Sequence, residues 1–122
     1  MLCLTLKNRR ERVMEKVRFV LNGVDYGECH LVASRYNTIN NNIALYIQNE
    51  NGLVAVCTTN LDMPELNNDK FVAIKNYSEN VGMDNWLIDN GYIKKGPICG
   101  KQSGFVYIPV YALTEKGKAL LK

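Results

Sequence analysis

FVAIKNYSENVGMDNWLIDNG, residues Phe71 to Gly91 of a 122-residue chain, decides how the fold is read. Phe71-Val72-Ala73-Ile74 is a short apolar run of the kind a buried strand carries. Lys75-Asn76-Tyr77 breaks it with polar groups. Ser78 is then placed to cap a helix, because its hydroxyl can accept from first-turn N–H groups that lack a helical partner. Glu79 follows where an acid favours the positive end of the helix dipole. Val81, Met83, Trp86, Leu87 and Ile88 supply an apolar face. Asn90-Gly91 stops the helix in the left-handed conformation that glycine tolerates. Trp86 is the only tryptophan in the chain. A strand feeding a helix that carries it predicts the packing centre of a small domain, with Trp86 mostly buried.

Working upstream, two hairpins are legible. KVRFVL, Lys16 to Leu21, sets Val17, Phe19 and Leu21 against Lys16, Arg18 and Val20. Asn22-Gly23 is a favoured two-residue turn, since both positions accept positive φ. YGECHLVAS, Tyr26 to Ser34, returns as the second strand, and Gly27 marks a bulge. After a polar, Asn-rich loop at Arg35 to Asn42, IALYIQ and LVAVCTT form a second hairpin about the turn Asn49-Glu50-Asn51-Gly52. Residues 60–70 read as loop. Pro64 biases Met63 to an extended conformation, and Asn67-Asn68-Asp69 is turn chemistry.

Downstream, Tyr92-Ile93 starts a further strand. KKGPICGKQSG, Lys94 to Gly104, reads as a glycine-rich loop or hairpin tip. FVYIPVY, Phe105 to Tyr111, is a strand in which Pro109 cannot donate to a ladder, so an edge or a bulge is expected there. Thr114 is placed to cap a short C-terminal helix that Gly117 weakens by about 1 kcal/mol relative to Ala. The fold class predicted is α+β: an antiparallel sheet of about five to six strands, including the two N-terminal hairpins, packed on one central helix, with a short C-terminal helix.

Length bounds this to one domain. Hydrophobic residues make 47% and charged residues 22%, the ordinary balance of a globular chain. The net charge of +3 is unevenly placed. Residues 1–18 hold six bases and two acids, whereas the remaining residues hold nine bases and ten acids. Residues 1–13 are accordingly read as a disordered or weakly helical basic extension, dispensable for folding, and residues 14–122 as a single α+β domain. No signal peptide or membrane-spanning stretch is legible, so a cytoplasmic location is expected. Cys3, Cys29, Cys57 and Cys99 form no C-x-x-C pair and read as free thiols, Cys57 in a buried strand.

No chemical constellation assembles from spacing. His30, the only histidine, adjoins Cys29, but neighbours on a strand point to opposite faces and make poor partners for one ion or one nucleophile–base pair. Glu79, Asp84 and Asp89 lie five apart, which does not stack them on one helix face. Gly96, Gly100 and Gly104 lack the spacing of a phosphate loop, and a strand replaces the helix such a loop requires. Tyr36, Tyr46, Tyr77, Tyr92, Tyr107 and Tyr111 read as amphipathic tyrosines at a sheet rim. Beside lysines, they are also the raw material of a stacking surface for single strands. No cofactor and no metal is expected.

NGVDYG at Asn22 to Gly27, ALYIQNENGLVAVCTTNL at Ala44 to Leu61, FVAIKNYSENVG at Phe71 to Gly82 and QSGFVYIPVY at Gln102 to Tyr111 carry a resemblance. From Val17 to Tyr111 the order of elements resembles a family of small proteins from phages and conjugative elements of gut bacteria. The basic extension before Met14 departs from that pattern. The mobile-element setting implies host–parasite conflict, and small proteins of that kind include CRISPR-nuclease inhibitors. The resemblance carries over no catalytic residue. It implies a non-enzymatic protein that binds a host protein, with a CRISPR effector as candidate. The alternative is a small nucleic-acid-binding accessory protein using the basic arm and surface tyrosines, although only weak nucleic-acid binding is expected. The partner-binding residues expected are Arg35, Tyr36, Asn37 and Asn40 in the first loop, with Tyr92, Lys94, Lys95 and Lys101 in or beside the glycine-rich one. Those loops offer the adaptable hydrogen-bonding groups and tyrosines that recognition surfaces favour.

Overall fold

In the computed structural model, which describes residues 16–37, 41–63, 66 and 69–121, alternation shapes the first half of the chain. Strands β1 (Lys16–Leu21), β2 (Val24–Arg35), β3 (Ile43–Asn49) and β4 (Gly52–Val56) form a four-stranded antiparallel meander in that order. Phe19, Leu21, Cys29, Leu31, Leu45 and Ile47 are buried on one face. Asn22 and Gly23 take φ of 52° and 80° at the first turn, as the Asn-Gly pair requires. Between Arg18 and Val20 the register slips against Glu28 and Asp25, which puts an extra residue on β2 at Gly27, whose φ is 78°.

The second half forms a separate three-stranded sheet from β5 (Phe71–Ala73), β6 (Cys99–Ser103) and β7 (Val106–Ala112), in the order β5-β7-β6. The expectation of one sheet with five to six strands is thus corrected to two sheets of four and three strands. The division occurs at Cys57. Its N–H still donates to Leu45 O at 2.8 Å, but its carbonyl accepts from Lys75 N at 2.8 Å. Leu45 N–H is met at 3.2 Å by the Thr58 hydroxyl. One side chain replaces a ladder carbonyl, the chain leaves β3, and the Thr58–Ile74 bridge joins the two sheets. The main core lies between the inner face of the meander, β5, Met83, Trp86, Leu87, Tyr92 and Ile93. A smaller core of Leu61, Leu66, Ala73, Ile108 and Val110 covers the other face of the second sheet.

No helix is central. Ser78 has φ of 58° and opens a 3-10 turn over Ser78–Asn80. The α-helix α1 (Met83–Asp89) has only seven residues and begins after Gly82 at φ 93°. Its first N–H groups are served by Asn76, not Ser78: Asn76 Oδ1 accepts from Gly82 N at 3.0 Å and from Asp84 N at 3.3 Å. Val81 is exposed. The stop at Asn90-Gly91 holds. Gly91 N–H reaches Ile88 O and Tyr92 N–H reaches Leu87 O, both at 2.9 Å, with Gly91 at φ 82°. Trp86 is 8% exposed, with its ring edge-on to Phe19 at 5.0 Å.

β6 falls within the stretch read as a loop. Cross-strand pairing with β7 outweighs the glycine content. Pro109 lies in the central strand of the second sheet, not at an edge. Its carbonyl accepts from Ile74 N at 3.0 Å, and its missing N–H falls where the β5 ladder has already ended at Ala73. The C-terminal helix α2 (Glu115–Ala119) is capped by Thr114 Oγ1, which accepts from Gly117 N at 3.1 Å. Gly117 is there for space, since a Cβ at that position would lie 2.2 Å from Tyr92 O. The basic extension 1–13, Asn40, Pro64 and the Asn67-Asn68 turn lie outside the described residues.

Candidate functional site

The two loops expected to bind a partner differ in what they have left to offer. Arg35 pairs with the Asp69 carboxylate and donates to Asn41 O at 3.3 Å. Tyr36 shares a hydrogen bond with the Thr58 hydroxyl at 2.9 Å, and burial pushes its phenol pKa up. Both side chains tie the first loop to its own scaffold. Asn37 is exposed. Tyr92 is 2% exposed, with Lys116 Nζ 4.5 Å from its ring centroid. Its burial takes it off the surface, a correction to its expected role.

Lys94, Lys95 and Lys101 are exposed. Lys94 and Lys95 make no ion pair among the described residues, and Lys101 Nζ donates to Asp62 O at 3.2 Å. These lysines lie along one border of the second sheet. Lys94 N–H bonds Ala112 O and Ile98 N–H bonds Val110 O, both at 2.8 Å, so residues 94–103 follow β7 from one end to the other. The same border exposes large apolar groups: Ile98 at 50%, Tyr107 at 58% and Phe105 at 103%. Phe105 stands at the hairpin tip because Ser103 pairs with Val106, leaving Gly104-Phe105 as a two-residue turn with Gly104 at φ 61°. Gly100 lets the Tyr107 ring lie across β6, since a Cβ there would meet that ring at 2.3 Å.

Sequence reasoning placed Phe105 in a strand and so missed it as a surface group. Ser-Gly-Phe-Val has the glycine-first pattern of a tight hairpin turn, which could have revealed it. A second signal is charge. From Asn90 to Thr114 the chain holds Lys94, Lys95 and Lys101 and no Asp or Glu. The surface therefore combines unpaired positive charge with exposed aromatic area, a composition suited to recognition.

Elsewhere several polar groups are committed to structure, while buried His30 Nδ1 and Asn42 Oδ1 have no hydrogen-bond partner among the described residues. Burial raises the pKa of the Cys57 and Cys29 thiols and keeps both protonated. Cys29 is buried and His30 only half-buried on the opposite face, as alternation requires. Tyr111 donates to Asp84 at 2.7 Å, and desolvation followed by that carboxylate pushes its phenol up to about 12. Among the described residues no group of three His, Cys, Asp or Glu could hold a metal ion, and no helix is long and apolar enough to cross a membrane. No protein-family model, curated protein or solved structure matches the chain.

Proposed function

We propose that this chain is a non-enzymatic protein that binds and inhibits a host defence protein, with a CRISPR effector nuclease as the candidate target. The observation that carries the binding reading is Phe105, fully exposed on a two-residue turn between paired strands. A large aromatic group held in water on rigid backbone adds nothing to the fold's own core. It loses little conformational entropy when a partner covers it, which is how interface anchors act. Ile98 and Tyr107 extend the apolar area. The host-defence assignment rests on the resemblance of the four quoted segments to mobile-element proteins.

The test is target-DNA cleavage by a purified, guide-loaded CRISPR nuclease titrated with this chain. Stoichiometric loss of cleavage is expected, together with co-elution of the two proteins. Phe105→Ala should keep its melting temperature and lose inhibition by at least about tenfold, the modest end of an anchor's contribution. Unimpaired cleavage and separate elution would remove the nuclease as target. Lysines along the border that also carries Phe105 and Tyr107 favour a second reading, a stacking surface for single-stranded nucleic acid. Titration with labelled single strands near physiological salt separates the two, since sub-micromolar binding there would put nucleic acid first.

A further inference from the structure

Four strand borders terminate the two sheets, and three of them accept at least one hydrogen bond from elsewhere in the chain. On β1, Arg18 O accepts from Trp86 Nε1 at 3.3 Å. On β4, Val56 O accepts from Asn80 Nδ2 at 2.5 Å. Beside β5, Ala73 O accepts from Thr59 N at 3.0 Å, and the Thr58–Ile74 bridge follows. The fourth border is β6, and no described backbone or side-chain group hydrogen-bonds its outer side. Which of its groups face outward follows from register. Ser103 and Val106 flank the two-residue turn and bond each other, so Gln102, facing Tyr107, directs its N–H and C=O away from β7. Gly100 does the same, consistent with Pro109, its partner on β7, giving its carbonyl to Ile74.

We infer that β6 is a docking edge to which an extended, acidic polypeptide segment of the partner adds as a further strand. This deepens the protein-binding reading above and rests on it. Strand addition would satisfy the Gly100 and Gln102 backbone groups and present alternate partner side chains to the two faces of the sheet. On one face lie Cys99 and Lys101, on the other Gly100, Gln102 and the exposed ring of Tyr107. Between Asn90 and Thr114 the chain carries Lys94, Lys95 and Lys101 and no acid, and Asp62 from a neighbouring loop meets Lys101 through its carbonyl. A segment alternating acidic with apolar residues complements both faces, carboxylates toward Lys101 and apolar groups toward Tyr107. A second copy of this chain is a poor occupant, because it would bring Lys94, Lys95 and Lys101 against the same lysines.

The probe is a fluorescein-labelled octapeptide of alternating Asp and Val, read by anisotropy against the whole chain. Controls are the Lys–Val octapeptide, the Asp–Val octapeptide N-methylated at alternate residues, and an eight-nucleotide single strand. Binding of the Asp–Val peptide alone is expected, weakened at least about tenfold by N-methylation, the size of one lost backbone hydrogen bond. Gln102→Pro removes an outward N–H and no ladder bond, so it should leave the melting temperature within a few degrees and weaken the peptide by a similar factor. If that variant does not fold, the N-methylated peptide gives the same information on the unaltered protein. Equal binding of the methylated and unmethylated peptides, or tighter binding of the single strand, overturns the inference. Loss of CRISPR-nuclease binding in Phe105→Ala with no effect of Gln102→Pro overturns strand addition and leaves the protein-binding reading standing.

Discussion

The meander and the three-stranded sheet treat their borders differently. In the first, each outer strand gives a carbonyl to a side chain from residues 78–89: Val56 to Asn80, Arg18 to Trp86. In the second, β5 is joined through Thr58 and Ile74, while β6 is bordered by solvent, lysines and an exposed Phe105. Exposed edges invite pairing with other chains, and charged side chains along them limit the set of strands that can join. The contrast separates a half whose outer strands are each pinned by a distant side chain from a half with one border that is not.

Four measurements would sharpen or break that contrast. The largest effect is expected from Trp86→Ala, which removes the tryptophan packed on Phe19 together with the donor to Arg18. It should cost about 3–5 kcal/mol in denaturant unfolding. Unchanged stability would mean that β1 needs no cover. Thr58→Val comes next. It keeps the shape and removes the acceptor for Leu45 N–H and the partner of the Tyr36 hydroxyl, for an expected loss of about 1–3 kcal/mol. A neutral result would show that the handover between the sheets does not depend on the hydroxyl.

The third measurement uses alkaline pH. Tyr111 titrates near 10.0 when unfolded and at about 12 when folded. A raised phenol pKa contributes stability that is fully present below the unfolded value and is lost as pH rises toward the folded one. Stability should fall by about 2 kcal/mol between roughly pH 10 and 12, and Tyr111→Phe should lack that component. The smallest effect concerns Glu79, whose carboxyl is held down at about 2 by Lys75, 2.8 Å away. A depressed carboxyl contributes above its unfolded value of 4.5 and loses its contribution as pH falls toward 2. Because the pair is exposed, Glu79→Gln should alter the acid limb only slightly. A large shift would make the 75–79 turn a keystone of the meander's cover.

Local signals carried much of the fold. Asn22-Gly23, Gly27, Asn90-Gly91 and Thr114 each act where their backbone chemistry placed them. What escaped depends on contacts distant in sequence. Asn76 displaced Ser78 as the cap because its amide oxygen reaches N–H groups six and eight residues on. β6 escaped because glycines that usually mark loops are needed here for a turn and for the ring of Tyr107. The division at Cys57 escaped because a threonine hydroxyl can stand in for a carbonyl without altering the apolar pattern. Of the candidate surface, Lys94, Lys95 and Lys101 were legible as charge. Phe105 was not, since an aromatic beginning an apolar run reads as core.

The bonds from Trp86 and Asn80 also impose an order of events. The meander consists of neighbouring hairpins whose strands all lie within residues 16–56. Its two covers come from Asn80, 24 residues beyond Val56, and Trp86, 68 residues beyond Arg18. During synthesis at about 5–20 residues per second, all four strands of the meander are made seconds before those residues emerge, and their edges are unprotected in that interval. Crowded ribosomes translating this message therefore hold neighbouring half-finished copies that can pair with one another. Yield in a host should depend on how quickly the stretch from Phe71 to Gly91 is translated.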